Sequence, residues 1–272
     1  MKKSQIILVV AVVVAIGVLY SLPRVVVDNS EEGQNMAQQG DATSEPVTDA
    51  HNASVSDSDK STVSGLAAKL KKEESKEKFA IFADSLASIY SDAGMYDSAA
   101  YYQGLSADRF PDNESLEKAG NAYYEAFGFA MDQDKMVYLA EQTRSYLNQV
   151  LEDNPERLDL KTKVAMTHVS STNPMQGIMM LREVLEQDPQ NEEALFNMGV
   201  LSMQSGQYKK AVERFEDLIG HHPGNVQGQF YLGVSYFEAK QKNKAKKQFQ
   251  LVKDMTEDPM IISSVDNYLG QL

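Results

Sequence analysis

The clearest hydrophobic pattern lies in the second half of the chain. In "EEALFNMGVLSMQSGQYKKAVERFEDLIGHHPGN", Glu192 to Asn225, the apolar positions Leu195, Met198 and Gly199 precede a glycine turn at Gly206. Ala211, Phe215 and Leu218 then follow at spacings of three and four. Such spacing puts the apolar residues on one face of a helix. Gly206 supplies a tight turn in which a positive φ costs little, and Gly220 and Pro223 end the second helix and redirect the chain. The stretch therefore predicts two antiparallel helices.

The same pattern recurs. Gly199 and Gly233, Ala211 and Ala245, and Phe215 and Phe249 are each 34 residues apart, as are Pro155, Pro189 and Pro223 in succession. Upstream, Gly94-Met95-Tyr96 matches Gly206-Gln207-Tyr208, and Ala99 and Pro111 stand as Ala211 and Pro223 do. A fixed period of this length is the mark of stacked supersecondary units, none of which can bury its apolar face alone. Ala99, Gly120, Gly199, Gly206, Ala211, Phe215, Gly233, Ala245 and Phe249 are the positions expected to hold the units together. The small residues allow close helix approach and the phenylalanines face inward.

The 34-residue period, with Leu/Met-Gly, Tyr, Gly-x-Tyr, Ala, Phe and Pro at these positions, resembles the tetratricopeptide repeat. The resemblance covers roughly Phe79 to Leu272. It implies an all-α fold, a right-handed superhelix of antiparallel helix pairs. The repeats are read at 79–113, 114–157, 158–191, 192–225 and 226–259, with a capping helix at 260–272. Three units depart from the pattern. The second spans 44 residues between Pro111 and Pro155, which predicts a longer first helix or turn. The third has His168 where tyrosine is usual, and Thr172-Asn173-Pro174 in place of the glycine turn. The fifth is read with Lys242-Asn243 at its turn.

The resemblance further implies that the first helix of each unit lines a concave groove able to hold a peptide. By register this gives Asp84, Ser88 and Asp92, then Glu117, Asn121, Tyr124 and Glu125, then Thr162, Met166 and Val169. Phe196, Val200 and Met203 follow, and Phe230, Val234 and Phe237 close the series. The groove is thus expected to be acidic and polar at one end and apolar at the other, suited to a cationic or apolar ligand. The competing reading buries Phe230 and Phe237 under the closing helix. Asp84 and Ser88 stand where some families of these repeats carry a carboxylate clamp of lysine and asparagine, so no such clamp is expected.

The N-terminal quarter has a different texture. From Ile6 to Leu22 only Gly17, Tyr20 and Ser21 are not plainly aliphatic. A helix of that length spans roughly 25 Å, near the short end of a membrane crossing. The only small-x-small exit, Ala15-Ile16-Gly17, lies inside the apolar run, which favours an uncleaved anchor over 1–27 to a cleaved signal peptide. Lys2 and Lys3 precede the segment, so the positive-inside rule leaves the N-terminus in the cytoplasm and exports the rest. The expected location is a bacterial inner membrane, crossed once, with the repeats facing the periplasm. Residues 28–64 are rich in Ser, Asp, Gln and Gly and lack aromatics, which predicts a flexible acidic linker. "GLAAKLKKEESKEKFAIFADSL" then reads as a charged helix with a solvated Lys/Glu face.

The formal net charge of −13 argues against a general nucleic-acid binder. The absence of cysteine removes disulfides, thiolate metal sites and a lipidated cysteine. No phosphate loop or helical His/Glu pairing at metal spacing occurs, so neither catalysis nor a cofactor is expected. His221-His222, adjacent on a loop, is a poor metal site. "EAKQKNKAKKQF" gathers Lys240, Lys242, Lys244, Lys246 and Lys247, read as a solvated edge in preference to a contact for an acidic partner or anionic lipid. The expected function is a membrane-tethered scaffold or adaptor that binds a protein or peptide in the groove. The alternatives are a periplasmic chaperone or maturation factor, and a homo-oligomeric scaffold.

Overall fold

A computed structural model describes residues 54–272. The expected anchor and residues 28–53 of the expected linker lie outside them. Among the described residues there are twelve helices and no strand. Helix α1 is Asp57–Leu70. Five hairpins follow: α2 (Lys76–Asp92) with α3 (Tyr96–Arg109), α4 (Asn113–Phe129) with α5 (Gln133–Asp153), α6 (Leu158–Val169) with α7 (Pro174–Gln187), α8 (Glu192–Gln204) with α9 (Tyr208–His221), and α10 (Val226–Glu238) with α11 (Lys242–Met255). Helix α12, Pro259–Gly270, closes the series.

The first helices α4, α8 and α10 start differently from the second helices α3, α9 and α11. Asp112, Asn191 and Asn225 cap α4, α8 and α10 by accepting from the amides of Ser115, Ala194 and Gly228 at 2.8, 3.0 and 2.6 Å. These side chains satisfy donors the helix leaves open. Helices α3, α9 and α11 have no side-chain cap. They follow turns in which Met95, Gln207 and Gln241 each donate a 2.8 Å backbone bond to the carbonyl five residues earlier. Gly94, Gly206 and Lys240 take positive φ in those turns, at 72°, 70° and 60°. The fifth turn therefore lies at Lys240-Gln241, not at Lys242-Asn243 as read from the sequence. Lys242 and Asn243 are already helical, and Lys240 holds the conformation that glycine holds in the other two.

Packing follows the period. The Phe215 ring fills the space above Gly199, and Phe249 does the same above Gly233. Gly120 is met by Leu147 instead. Ala211, Phe215, Ala245 and Phe249 have no solvent exposure, and Ala99 is 5% exposed. The apolar core runs through the stack as linked clusters. Leu160 and Val164 join the second and third hairpins, Ala165 and Met198 the third and fourth, and Phe215 and Leu232 the fourth and fifth.

The termini of the stack differ from expectation. The charged stretch read as one helix is broken at 71–75, and α1 reaches back to Asp57, into residues read as linker. Ser56 caps α1, and Val63, Leu66, Ala67 and Leu70 pack with Phe79, Ala83 and Leu86. These residues gain burial by covering the open apolar side of the first hairpin, which a terminal repeat otherwise exposes. The long second unit also resolves differently. Its turn is short, while α4 has 17 residues and α5 has 21, against 13 and 14 in α8 and α9. Most of the inserted chain therefore lengthens the second helix, by roughly 10 Å for seven residues.

Candidate functional site

First helices of successive hairpins touch one another, α6 with α8, α8 with α10, and α10 with α12. Their shared face is where the sequence places the groove. Along its first part a ladder of polar bridges joins neighbouring units. Lys76 pairs with Asp112, and the Lys118 ammonium lies 3.1 Å from Asp84. The Arg157 guanidinium donates to both Glu117 oxygens at 2.8 and 2.7 Å and also to Asp159. Lys163 donates to Asn121 at 2.6 Å. Further along, Asn225 donates to Glu192 at 2.8 Å.

These contacts change the expected electrostatics. Asp84 and Glu117, which made the groove acidic on paper, are both engaged by cations of the next unit. Hydrogen bonding to Arg157 holds Glu117 and Asp159 below the ordinary carboxylate range. A free cationic ligand would have to displace those partners. Glu125 is exposed, while Tyr124 is half-buried and its phenol is pushed up to about 12 by burial, with Glu193 adding to the shift. Burial also raises Glu193.

The second part of the face is apolar. Phe196 meets Phe215 and Tyr231 edge-on at 6.0 and 5.5 Å, and Val200 and Met203 pack half-buried beside the same cluster. Phe230 and Phe237 meet Tyr268 of α12 at 6.1 and 5.3 Å, and Phe249 stacks on it at 5.1 Å. Phe230 and Phe237 are thus half-buried against the closing helix, and not fully covered as the competing reading had it. Val234 must be withdrawn from the groove set. It is 5% exposed and belongs to the core of the fourth and fifth hairpins. Met166 is half-buried against the Ala165–Leu181–Met198 cluster. Thr162 is fully buried and is withdrawn as well; Ser88, Asp92 and Glu125 are exposed, and Tyr124, Met166, Phe196, Val200, Met203, Phe230 and Phe237 keep only outward edges in solvent.

Sequence reasoning missed the ladder and the role of Tyr268. The ladder had a signal: Asp84 and Lys118 carry opposite charges one period apart. Nothing in the local pattern marked Tyr268, since its partners come from α10 and α11. The histidine pair is structural. His222 bonds the Gln190 carbonyl of the preceding unit at 2.6 Å, and His221 lies 3.5 Å from Asp217. No group of metal-ligating side chains occurs among the described residues.

Comparison with solved structures agrees with the helix-pair architecture. A tetratricopeptide repeat protein from Parabacteroides merdae superposes with a TM-score of 0.56 at 17% identity, over 76% of this chain and 77% of that one. The chain has the tetratricopeptide-repeat fold. Residues 144–249 also match the family model described as surface lipoprotein assembly modifier, N-terminal TPR repeats. MamA superposes at a TM-score of 0.47, with 16% identity, over 62% of this chain and 94% of that one. YrrB, described as a TPR protein with an unusual peptide-binding site, does so at 0.44, with 16% identity, over 75% and 99%. Neither of these two superpositions bears on the assignment. No curated protein matches the chain. A tetratricopeptide solenoid is a scaffold for protein–protein contact.

Proposed function

We propose that this protein is a membrane-tethered adaptor that holds a protein or peptide partner along the first-helix face. The N-terminal apolar segment anchors it in a bacterial inner membrane, with the repeats on the periplasmic side. The observation that carries the reading is the division of that face. Asp84, Glu117 and Asn121 are bridged to cations of the next unit, whereas Phe196, Val200 and Met203 keep apolar edges partly exposed. Partly exposed aromatic and apolar side chains on a rigid backing make an anchor for a partner's side chains. A photocrosslinking amino acid at 196 or 203 should capture a partner in intact cells, and one at exposed Glu183 should not. Equal capture at both positions, or none at 196 and 203, would defeat the groove reading. Protease treatment of spheroplasts tests the topology, since a fully protected repeat domain is incompatible with it.

The match of residues 144–249 to a surface lipoprotein assembly modifier favours a second reading, an assembly or maturation factor for envelope proteins. The two readings differ in the number of clients. An adaptor yields one dominant crosslinked species, and an assembly factor yields several.

A further inference from the structure

The chain carries a net charge of −13, yet from Lys240 to Lys253 it holds six lysines and no acid. The structure adds Lys209 and Lys210 to this stretch. The turn of the fourth hairpin (Gly206 to Lys210) and that of the fifth (Glu238 to Lys240) line one open depression, with Glu238 as its only acid. A second depression beside it is lined by Lys240, Gln241, Lys242, Asn243 and Lys244.

This edge is built against local preference. Helix N-termini favour acids, because the unsatisfied amides and the helix dipole leave partial positive charge there. The equivalent second helices α3 and α5 follow that rule with Asp97 and Asp134 in their first turns. Helices α9 and α11 have no acid there and carry lysines instead. Lys240 also occupies a left-handed turn position where Gly94 and Gly206 stand in other units. The fold neutralises the cluster only in part, at Lys244 and at Lys253, which lies 2.7 Å from Asp266. Lys244 reaches Glu216 at 3.5 Å, Lys210 bonds Gln207 and Lys242 bonds the Leu272 carbonyl. Lys209, Lys240, Lys246 and Lys247 are exposed and have no acidic partner among the described residues.

The residue type selects the partner. All the cations of this edge are lysines and none is arginine. Arginine presents a planar fork that recognises a fixed carboxylate or phosphate, whereas lysine is a flexible point charge. Lysines at the ends of mobile stems, around open depressions, suit a laterally fluid anionic surface better than a fixed acidic side chain. We infer that the turn edge of the fourth and fifth hairpins rests on the anionic headgroups of a phospholipid bilayer. Clustered basic residues bind such surfaces through their summed charge, each lysine near the surface strengthening binding roughly fivefold. The contact neither requires the groove nor occupies it.

The absence of cysteine makes the test direct, because a single cysteine can carry a label. The full chain with Asn243→Cys, spin-labelled, is mixed with nanodiscs of phosphatidylcholine alone or with one-third phosphatidylglycerol, each containing a headgroup-chelated nickel lipid. Strong nickel relaxation is expected on the anionic discs only, and it should disappear in about 0.5 M salt, where screening is short-ranged. Lys240→Glu/Lys246→Glu/Lys247→Glu should reduce the signal at least tenfold. The control Lys71→Glu/Lys72→Glu/Lys78→Glu, with the same charge change elsewhere, should keep it. Equal relaxation on neutral discs, or none on anionic discs, overturns the inference. So does a signal that survives the triple reversal. Displacement from the discs by an equal charge concentration of polyglutamate would assign the edge to an acidic protein and overturn it as well.

Discussion

Phe215 Cζ lies 2.6 Å from the point where a Cβ on residue 199 would stand, so Gly199 and Phe215 define each other's space. One period later Phe249 approaches Gly233 in the same way, at 2.7 Å. Phe215 cannot retreat, because it is fully buried and its ring stacks on Tyr231 at 5.8 Å. Gly199→Ala should therefore destabilise the domain. The overpacking costs about 1–3 kcal/mol and outweighs the gain of about 1 kcal/mol in helix propensity. In urea denaturation, Phe215→Leu added to Gly199→Ala should recover part of the loss, a coupling of about 1 kcal/mol. Strict additivity would mean that the glycine is not kept for the ring.

Lys240 makes the opposite prediction. Its φ of 60° is the left-handed conformation that costs an L-residue about 1–2 kcal/mol. Lys240→Gly should raise stability by about 1 kcal/mol, less the entropy glycine adds to the unfolded chain. Gly206→Ala should lower it by a similar amount, since a Cβ there meets nothing within 4 Å and only φ is at issue. The thermal midpoints of the two variants should move in opposite directions.

The polar ladder predicts acid sensitivity. Hydrogen bonding to Lys76 and Ser115 holds Asp112 down to about 2, and Arg157 lowers Glu117. Carboxyls depressed in the folded state stabilise it fully above their unfolded pKa of about 4, and that contribution fades as pH falls through the folded value. The ladder's contribution to the urea midpoint should hold between about pH 7 and 5 and fade below about pH 4.5. In Asp112→Asn/Glu117→Gln the fall of the midpoint in acid should be shallower. The Glu117–Arg157 pair is about one-third exposed, so solvent screening limits its share to about 1 kcal/mol or less. An unchanged acid limb in the double variant would remove the ladder from the account.

Tyr268 closes the stack. Its ring meets Phe230, Phe237 and Phe249 at 6.1, 5.3 and 5.1 Å. Tyr268→Ala should cost about 2–3 kcal/mol through lost aromatic burial. It should also raise binding of a hydrophobic dye by uncovering Phe230 and Phe237. The same variant with no change in dye binding would show that α12 stays seated without the ring.

The sequence by itself determined the repeat, its period, its helix-pair unit and the residues that pack it. Gly199 with Phe215 and Gly233 with Phe249 are legible because both partners lie within one hairpin and recur at a fixed spacing. It also placed the turns wherever glycine marks them, and went astray at Lys240, where a lysine holds the glycine conformation. The tertiary structure alone decided which first-helix residues reach solvent. Val234 has the same register position as Val200 yet is buried in the core, where Val200 is only partly covered. Likewise the acids Asp84 and Glu117 lost their apparent availability to Lys118 and Arg157 of the neighbouring units. Accessibility and charge pairing are set by what the next element brings across the interface, and no local pattern records that.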